Sequence, residues 1–243
     1  MNFSLTTSKI TIKPYLNTTL QPKEVKGKYK YFDRKYPLYY QITFERKNTQ
    51  IKSHYNMYFG DLQDVYNEEP GLIEFESEIL THIICYEKVI SSGTFELSGI
   101  KLKYEKYLTP INNILEEYFK KKLVKAASQC YSEYRYVLRF DSFDVRFTTL
   151  FGACEKLFPE IKQLLGTQFG KEYADYRTYL AALDKDDEPY SYLSLIHWHM
   201  NDYKTQLYHN LLIKMGTQNE AKCKDIVHTM DKIINQYQVS NDT

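Results

Sequence analysis

Hydrophobic periodicity changes once along this chain, from two residues near its start to about three and a half later on, and that change restricts the folds open to it. In residues 9–16, Ile10, Ile12 and Leu16 fall on one side and Thr11, Lys13 and Tyr15 on the other. This is the pattern of a half-buried strand, with Pro14 favouring a sheet edge. The alternation resumes over residues 38–46, with Tyr40, Ile42 and Phe44 facing one way and Tyr39, Gln41, Thr43 and Glu45 the other. Lys47-Asn48 reads as a hairpin turn and residues 49–55 as the return strand, which gives a three-stranded antiparallel sheet. The polar, lysine-rich stretch of residues 17–35, with Pro22 and Gly27, reads as a long loop.

Beyond Pro70-Gly71 the spacing becomes helical, with Leu72, Phe75, Ile79, Leu80, Ile83, Tyr86 and Ile90 at three- and four-residue steps and Gly93 as the stop. Thr109 and Pro110 announce a second helix, carried by Ile111, Ile114, Leu115, Tyr118, Phe119 and Leu123. More helices are expected near 128–140, 143–165, 170–183, 190–215 and 219–237. Gly152, Pro159, Gly166 and Gly170 interrupt the second of these, and Gly216 closes the fourth. The expected class is α+β: a small three-stranded antiparallel β domain followed by a mainly helical region.

Net charge is only +1 over 243 residues, but it is segregated. Residues 1–60 hold 11 Lys and Arg against 3 Asp and Glu, and residues 61–118 hold 4 against 12. The sequence therefore divides into a basic β domain (1–60), an acidic helical connector (61–125) and a helical domain (126–243). A cationic block of this kind points to a polyanion partner. The competing reading is that the acidic block docks on the basic one and neutralises it. The 24 tyrosines read either as recognition surface, each ring giving contact area and each hydroxyl a hydrogen bond, or, the weightier reading, as the mark of an AT-rich coding sequence in which Asn, Lys and Ile are frequent too.

Nothing in the residues assembles a reaction. Cys85, Cys130, Cys154 and Cys223 are too widely spaced for a zinc or redox motif and read as buried thiols of a reducing compartment. Of the six histidines, His197 and His199 would point about 200° apart on a helix and cannot share a metal there. No GxGxxG, GxxxxGK, GxSxG or HExxH pattern occurs. Apolar runs fall far short of a bilayer span, and the first residues do not form a secretory signal. The expectation is a cytoplasmic, non-enzymatic protein with no cofactor and no membrane contact.

Residues 9–16, the segment Tyr36-Pro37-Leu38-Tyr39-Tyr40-Gln41-Ile42-Thr43-Phe44 and the basic hairpin Arg46-Lys47-Asn48-Thr49-Gln50-Ile51-Lys52-Ser53 together resemble the N-terminal arm-binding domain of tyrosine recombinases from Bacteroidetes mobile elements. The order of the elements after the hairpin is similar to that family too. A helix leads into Gly93-Thr94-Phe95-Glu96-Leu97, a second helix comes next, and residues 131–140 and 171–216 loosely resemble a core-binding region. The family's catalytic domain needs an HxxR motif, and no histidine here is followed by arginine at that spacing. The resemblance thus implies a DNA-binding half without the cutting half.

A three-stranded sheet of this kind would lay one polar face in the DNA major groove. Lys13, Tyr15, Gln41, Thr43, Gln50 and Lys52 form that face, with Gln41 and Gln50 reading adenine. Lys13, Arg46, Lys47 and Lys52, with Lys26, Lys28 and Lys30 from the loop, would neutralise phosphates. The expected function is a non-catalytic, double-stranded-DNA-binding protein of a phage or mobile genetic element, a recombinase-like accessory or regulator. The alternative is a structural or adaptor protein, phage-encoded, that meets protein partners through its Tyr-rich helices.

Overall fold

A computed structural model describes residues 9–26, 32–91, 94–130, 146–157, 160–183 and 193–241. The fold is α+β, with an antiparallel sheet near the N-terminus and helices after it. The chain forms two compact units, Met1–Leu108 and Thr109–Thr243. The acidic segment of residues 61–125 is shared between them.

Five strands build the sheet, two more than the alternation predicts: β1 (Thr11–Leu16), β2 (Lys23–Lys26), β3 (Phe32–Phe44), β4 (Lys47–Lys52) and β5 (Tyr58–Phe59). β3 is the spine. Its second half lies between β1 and β4, and its first half pairs with β2 and β5, all antiparallel. The stretch predicted to be a loop thus contributes β2 and the start of β3. Lys23 and Glu24 face Lys35 and Arg34 in register, so backbone hydrogen bonds rather than an apolar stripe define this arm, and periodicity has nothing to detect.

The main hairpin turns at Glu45-Arg46, two residues before Lys47-Asn48. Both turn residues have left-handed backbones, φ 48° and 62°, as a two-residue type I′ turn requires. Asparagine and glycine favour that conformation and glutamate and arginine do not, which is why composition points to the wrong pair. The displacement is an even number of residues, so every side chain keeps its expected face. That inner face carries Leu38, Tyr40, Ile42, Phe44 and Ile51, each no more than 4% exposed.

Helices α1 (Leu62–Glu68), α2 (Leu72–Ile90) and α3 (Ile100–Tyr107) complete the first unit. α1 is too short to show a periodicity. It starts on a capping box in which Asp61 Oδ1 accepts from Asp64 N–H at 2.9 Å and Asp64 Oδ2 accepts from Asp61 N–H at 3.0 Å. α2 follows Gly71, whose φ of 86° suits a residue without Cβ, and it ends at Ile90; the predicted stop at Gly93 lies outside the described residues. α2 buries Ile79, Leu80, Ile83 and Ile84 together with Glu76. Three groups donate to that carboxylate: Tyr40 Oη to Oε2 at 2.7 Å, and Tyr104 Oη at 2.7 Å and the His54 N–H at 2.8 Å to Oε1. Strand β3, helix α3 and the segment after β4 thereby converge on one side chain of α2.

The second unit contains α4 (Ile111–Cys130), α5 (Phe147–Leu157), α6 (Glu160–Ala182), α7 (Leu195–His199), α8 (Asn201–Met215) and α9 (Glu220–Asn241). The interruption expected at Gly166 occurs inside α6, where the backbone is non-helical at φ 73°, ψ 176°. The helix predicted over 190–215 is two helices, because Met200 is extended at φ −77°, ψ 122°. The helix predicted over 128–140 falls largely outside the described residues. Phe119, Phe147, Phe151, Phe169, Tyr173 and Tyr176 pack as one aromatic cluster, with the Phe119 and Tyr176 rings 4.9 Å apart. The N-terminus of α4 is tied by a backbone bridge from Pro110 to Ser194.

Glu172 on α6 is buried and accepts from Gln168 Nε2 at 2.9 Å and from Lys122 Nζ and Tyr118 Oη at 2.8 Å each. Burial by itself would raise its pKa. The hydrogen bonds from Gln168, Lys122 and Tyr118 and the charge of Lys122 outweigh burial, so the carboxyl titrates below its ordinary value of 4.5. A group depressed in the folded state stabilises fully above its unfolded pKa, and that contribution is lost as pH falls through the folded value. Thermal unfolding followed from neutral to acid pH is therefore expected to show a falling midpoint below about pH 4.5. Glu172→Gln should flatten part of that fall, and an unchanged profile in the variant would refute the assignment.

Candidate functional site

The register of the main sheet arranges its outer side chains in three cross-strand rows. Thr11, Thr43 and Asn48 form the first, Lys13, Gln41 and Gln50 the second, and Tyr15, Tyr39 and Lys52 the third. Successive rows lie two residues apart on β3, about 6.6 Å at ~3.3 Å per residue. Six of the residues predicted from sequence, Lys13, Tyr15, Gln41, Thr43, Gln50 and Lys52, come together on this face. The reverse rows, Ile12-Ile42-Thr49 and Pro14-Tyr40-Ile51, turn to the core, where Tyr40 meets Glu76 of α2.

The face is polar at its centre and aromatic at one end. Lys13, Gln41 and Gln50 are exposed, and among the described residues none of their side chains has a hydrogen-bond or ion-pair partner. Thr43 is half-buried, and its Oγ1 donates to Asn48 Oδ1 at 2.7 Å. Tyr15 packs on Tyr39 with ring centroids 5.9 Å apart, and its hydroxyl is enclosed without a hydrogen-bond partner. Burial and then the neighbouring Tyr39 raise the pKa of Tyr15. An enclosed hydroxyl cannot donate to a base edge, so Tyr15 offers this face its ring. Lys52 donates to Asn56 Oδ1, and its ammonium lies 5.6 Å from the centroid of the Tyr58 ring.

Arg46 and Lys47 stand at the tip of the main hairpin, exposed. Lys26 ends β2 opposite Phe32 in backbone register, and Lys28 and Lys30 lie outside the described residues. Ion pairs between the basic and acidic blocks join Lys35 to Glu68, at 3.7 Å, and Glu45 to Lys88. Among the described residues, Lys13, Arg46, Lys47 and Lys52 pair with no carboxylate. The acidic helix α2 packs on the inner face, so the competing neutralisation reaches Lys35 but not the outer rows. Asn48 and Tyr39 are members of the face that the sequence reading leaves out of the site; the parity of the strands carries both.

Elsewhere several titratable groups are held within local structure. Ser194 N–H donates to His197 Nδ1 at 3.2 Å, closing a capping box at the start of α7. Burial pulls the pKa of His82 down. Cys85, Cys154 and Cys223 are free thiols, with burial pushing each pKa up. Among the described residues no three His, Cys, Asp or Glu side chains gather as they would around a metal ion, and no helix is long and apolar enough to cross a membrane. Among the described helix tyrosines, Tyr104, Tyr107, Tyr176, Tyr179 and Tyr203 are buried, while Tyr66 is exposed and Tyr86, Tyr118, Tyr173, Tyr208 and Tyr237 are half-buried. Compared with protein-family models, with curated proteins and with solved structures, the chain matches none.

Proposed function

We propose that this chain binds double-stranded DNA without cutting it, laying the outer face of β1, β3 and β4 in the major groove. The observation that carries the reading is the Lys13-Gln41-Gln50 row, three exposed side chains of DNA-reading types aligned across three strands and unengaged within the described residues. Two interstrand spacings of ~4.8 Å make a ribbon about 10 Å across, within a groove about 12 Å wide. Gln41 and Gln50 offer amides that pair with adenine, and Asn48 adds a third amide in the adjoining row. Lys13, Arg46, Lys47 and Lys52 flank them as phosphate contacts. The resemblance to recombinase arm-binding domains extends the proposal to biology: an accessory or regulator of a phage or mobile element that occupies recombinase-type sites.

The test is equilibrium binding of the full chain to a labelled mixed-sequence duplex over a salt series. With six to eight phosphate contacts, affinity should fall on the order of 10³-fold between about 50 and 200 mM salt. Negligible binding at both ends of the series would remove the proposal and leave the adaptor reading.

A further inference from the structure

Tyr58 of β5 has two lysines from different strands beside its ring. The ammonium of Lys23 on β2 and that of Lys52 on β4 each lie 5.6 Å from the centre of its ring. Each is within the distance at which a ring quadrupole attracts a cation. The two charges are therefore at most about 11 Å apart, twice that 5.6 Å. Lys23 is exposed, and neither lysine pairs with a carboxylate among the described residues. Like charges brought together on one ring repel one another, and cation–π attraction offsets only part of that cost at a wet surface. An anion between them would remove the remainder. Neighbouring groups share the same bias: Lys35, opposite Lys23, already has Glu68, and Lys52 heads the row that contains Tyr15 and Tyr39.

We infer that Lys23, Lys52 and Tyr58 form a clamp for nucleic-acid backbone phosphate at the aromatic end of the face. The inference rests on the proposed DNA reading and deepens it. It adds two residues, Lys23 and Tyr58, and gives the bound strand a direction, from Arg46 and Lys47 at the hairpin tip toward β5. Lys23 belongs to the stretch that sequence reads as loop, and β2 is what brings it beside Lys52. Tyr58 acts as a positioning residue, holding two cations where a flexible lysine stem would otherwise scatter them.

The salt dependence of duplex binding by the full chain tests this. Lys23→Gln should reduce the slope of log affinity against log salt by about one, the signature of one lost phosphate contact. Tyr58→Leu keeps both charges, so it should leave the slope in place and weaken binding about two- to fivefold. Lys101→Gln, an exposed lysine of α3, should change neither. A steep wild-type slope that Lys23→Gln leaves intact overturns the clamp while the proposed function stands. A wild type with no salt-dependent duplex binding overturns both. Unchanged thermal midpoints in Lys23→Gln and Lys101→Gln keep the comparison interpretable if Tyr58→Leu perturbs β5.

Discussion

Replacing Lys13, Lys47 and Lys52 together by glutamate is expected to lower duplex affinity on the order of 10²–10³-fold at low salt and to leave the fold in place. Each reversal changes the charge facing a phosphate by two units. At contact distance in water a unit charge is worth ~1 kcal/mol, before screening reduces it. Lys13 lies in the Gln41 row and Lys52 in the next, and Lys47 stands at the hairpin tip opposite Phe44, so one substitution set addresses the outer face together with its tip. Their stability cost should be small, because none has an ion-pair partner among the described residues and surface substitutions usually stay within ~0.5 kcal/mol. Lys52 loses its contact with Asn56, which is exposed and weak. Fluorescence anisotropy with the full chain, alongside thermal unfolding, separates the two effects. An affinity equal to wild type with an intact fold would place the DNA surface elsewhere or nowhere.

The largest stability effect is expected at Glu76. Glu76→Leu fills most of the volume but leaves the buried Tyr40 and Tyr104 hydroxyls and the part-buried His54 N–H without their acceptor. Each stranded donor costs ~1–3 kcal/mol, so the loss should be on the order of 3–6 kcal/mol, a large part of what holds a typical domain together. Adding Tyr40→Phe and Tyr104→Phe to Glu76→Leu removes two of the stranded donors. Urea unfolding should then find the triple variant more stable than the single one. A Glu76→Leu variant that loses under ~1 kcal/mol would show that the carboxylate is incidental to the first unit.

Much of the proposed face was legible because strand parity is a strict signal. Lys13, Gln41 and Gln50 share a row that comes from period-two alternation alone, and an error of two residues in the hairpin turn could not move them to the core. Two kinds of feature escaped. The arm made by β2 and the start of β3 has charged residues on paired positions and no apolar stripe, so hydropathy takes it for a loop and Lys23 with it. Left-handed backbones at Glu45 and Arg46 are imposed by the sheet against local preference, and no rule of composition would choose that pair. Some of the tyrosines are a further case. Tyr40, Tyr104, Tyr107 and Tyr118 spend their hydroxyls on the carboxylates of Glu76, Glu87 and Glu172. Sequence spacing cannot show those partnerships, because each joins residues at least 20 positions apart.

The grip on Glu76 also sets what the first unit can withstand. Its donors are two phenols and an amide, none of them cationic, so mobile ions have no charge pair there to screen. Brine strong enough to strip a polyanion from the outer lysines should leave that inner fastening closed. On the proposed reading, attachment answers to dissolved salt while this one fastening does not.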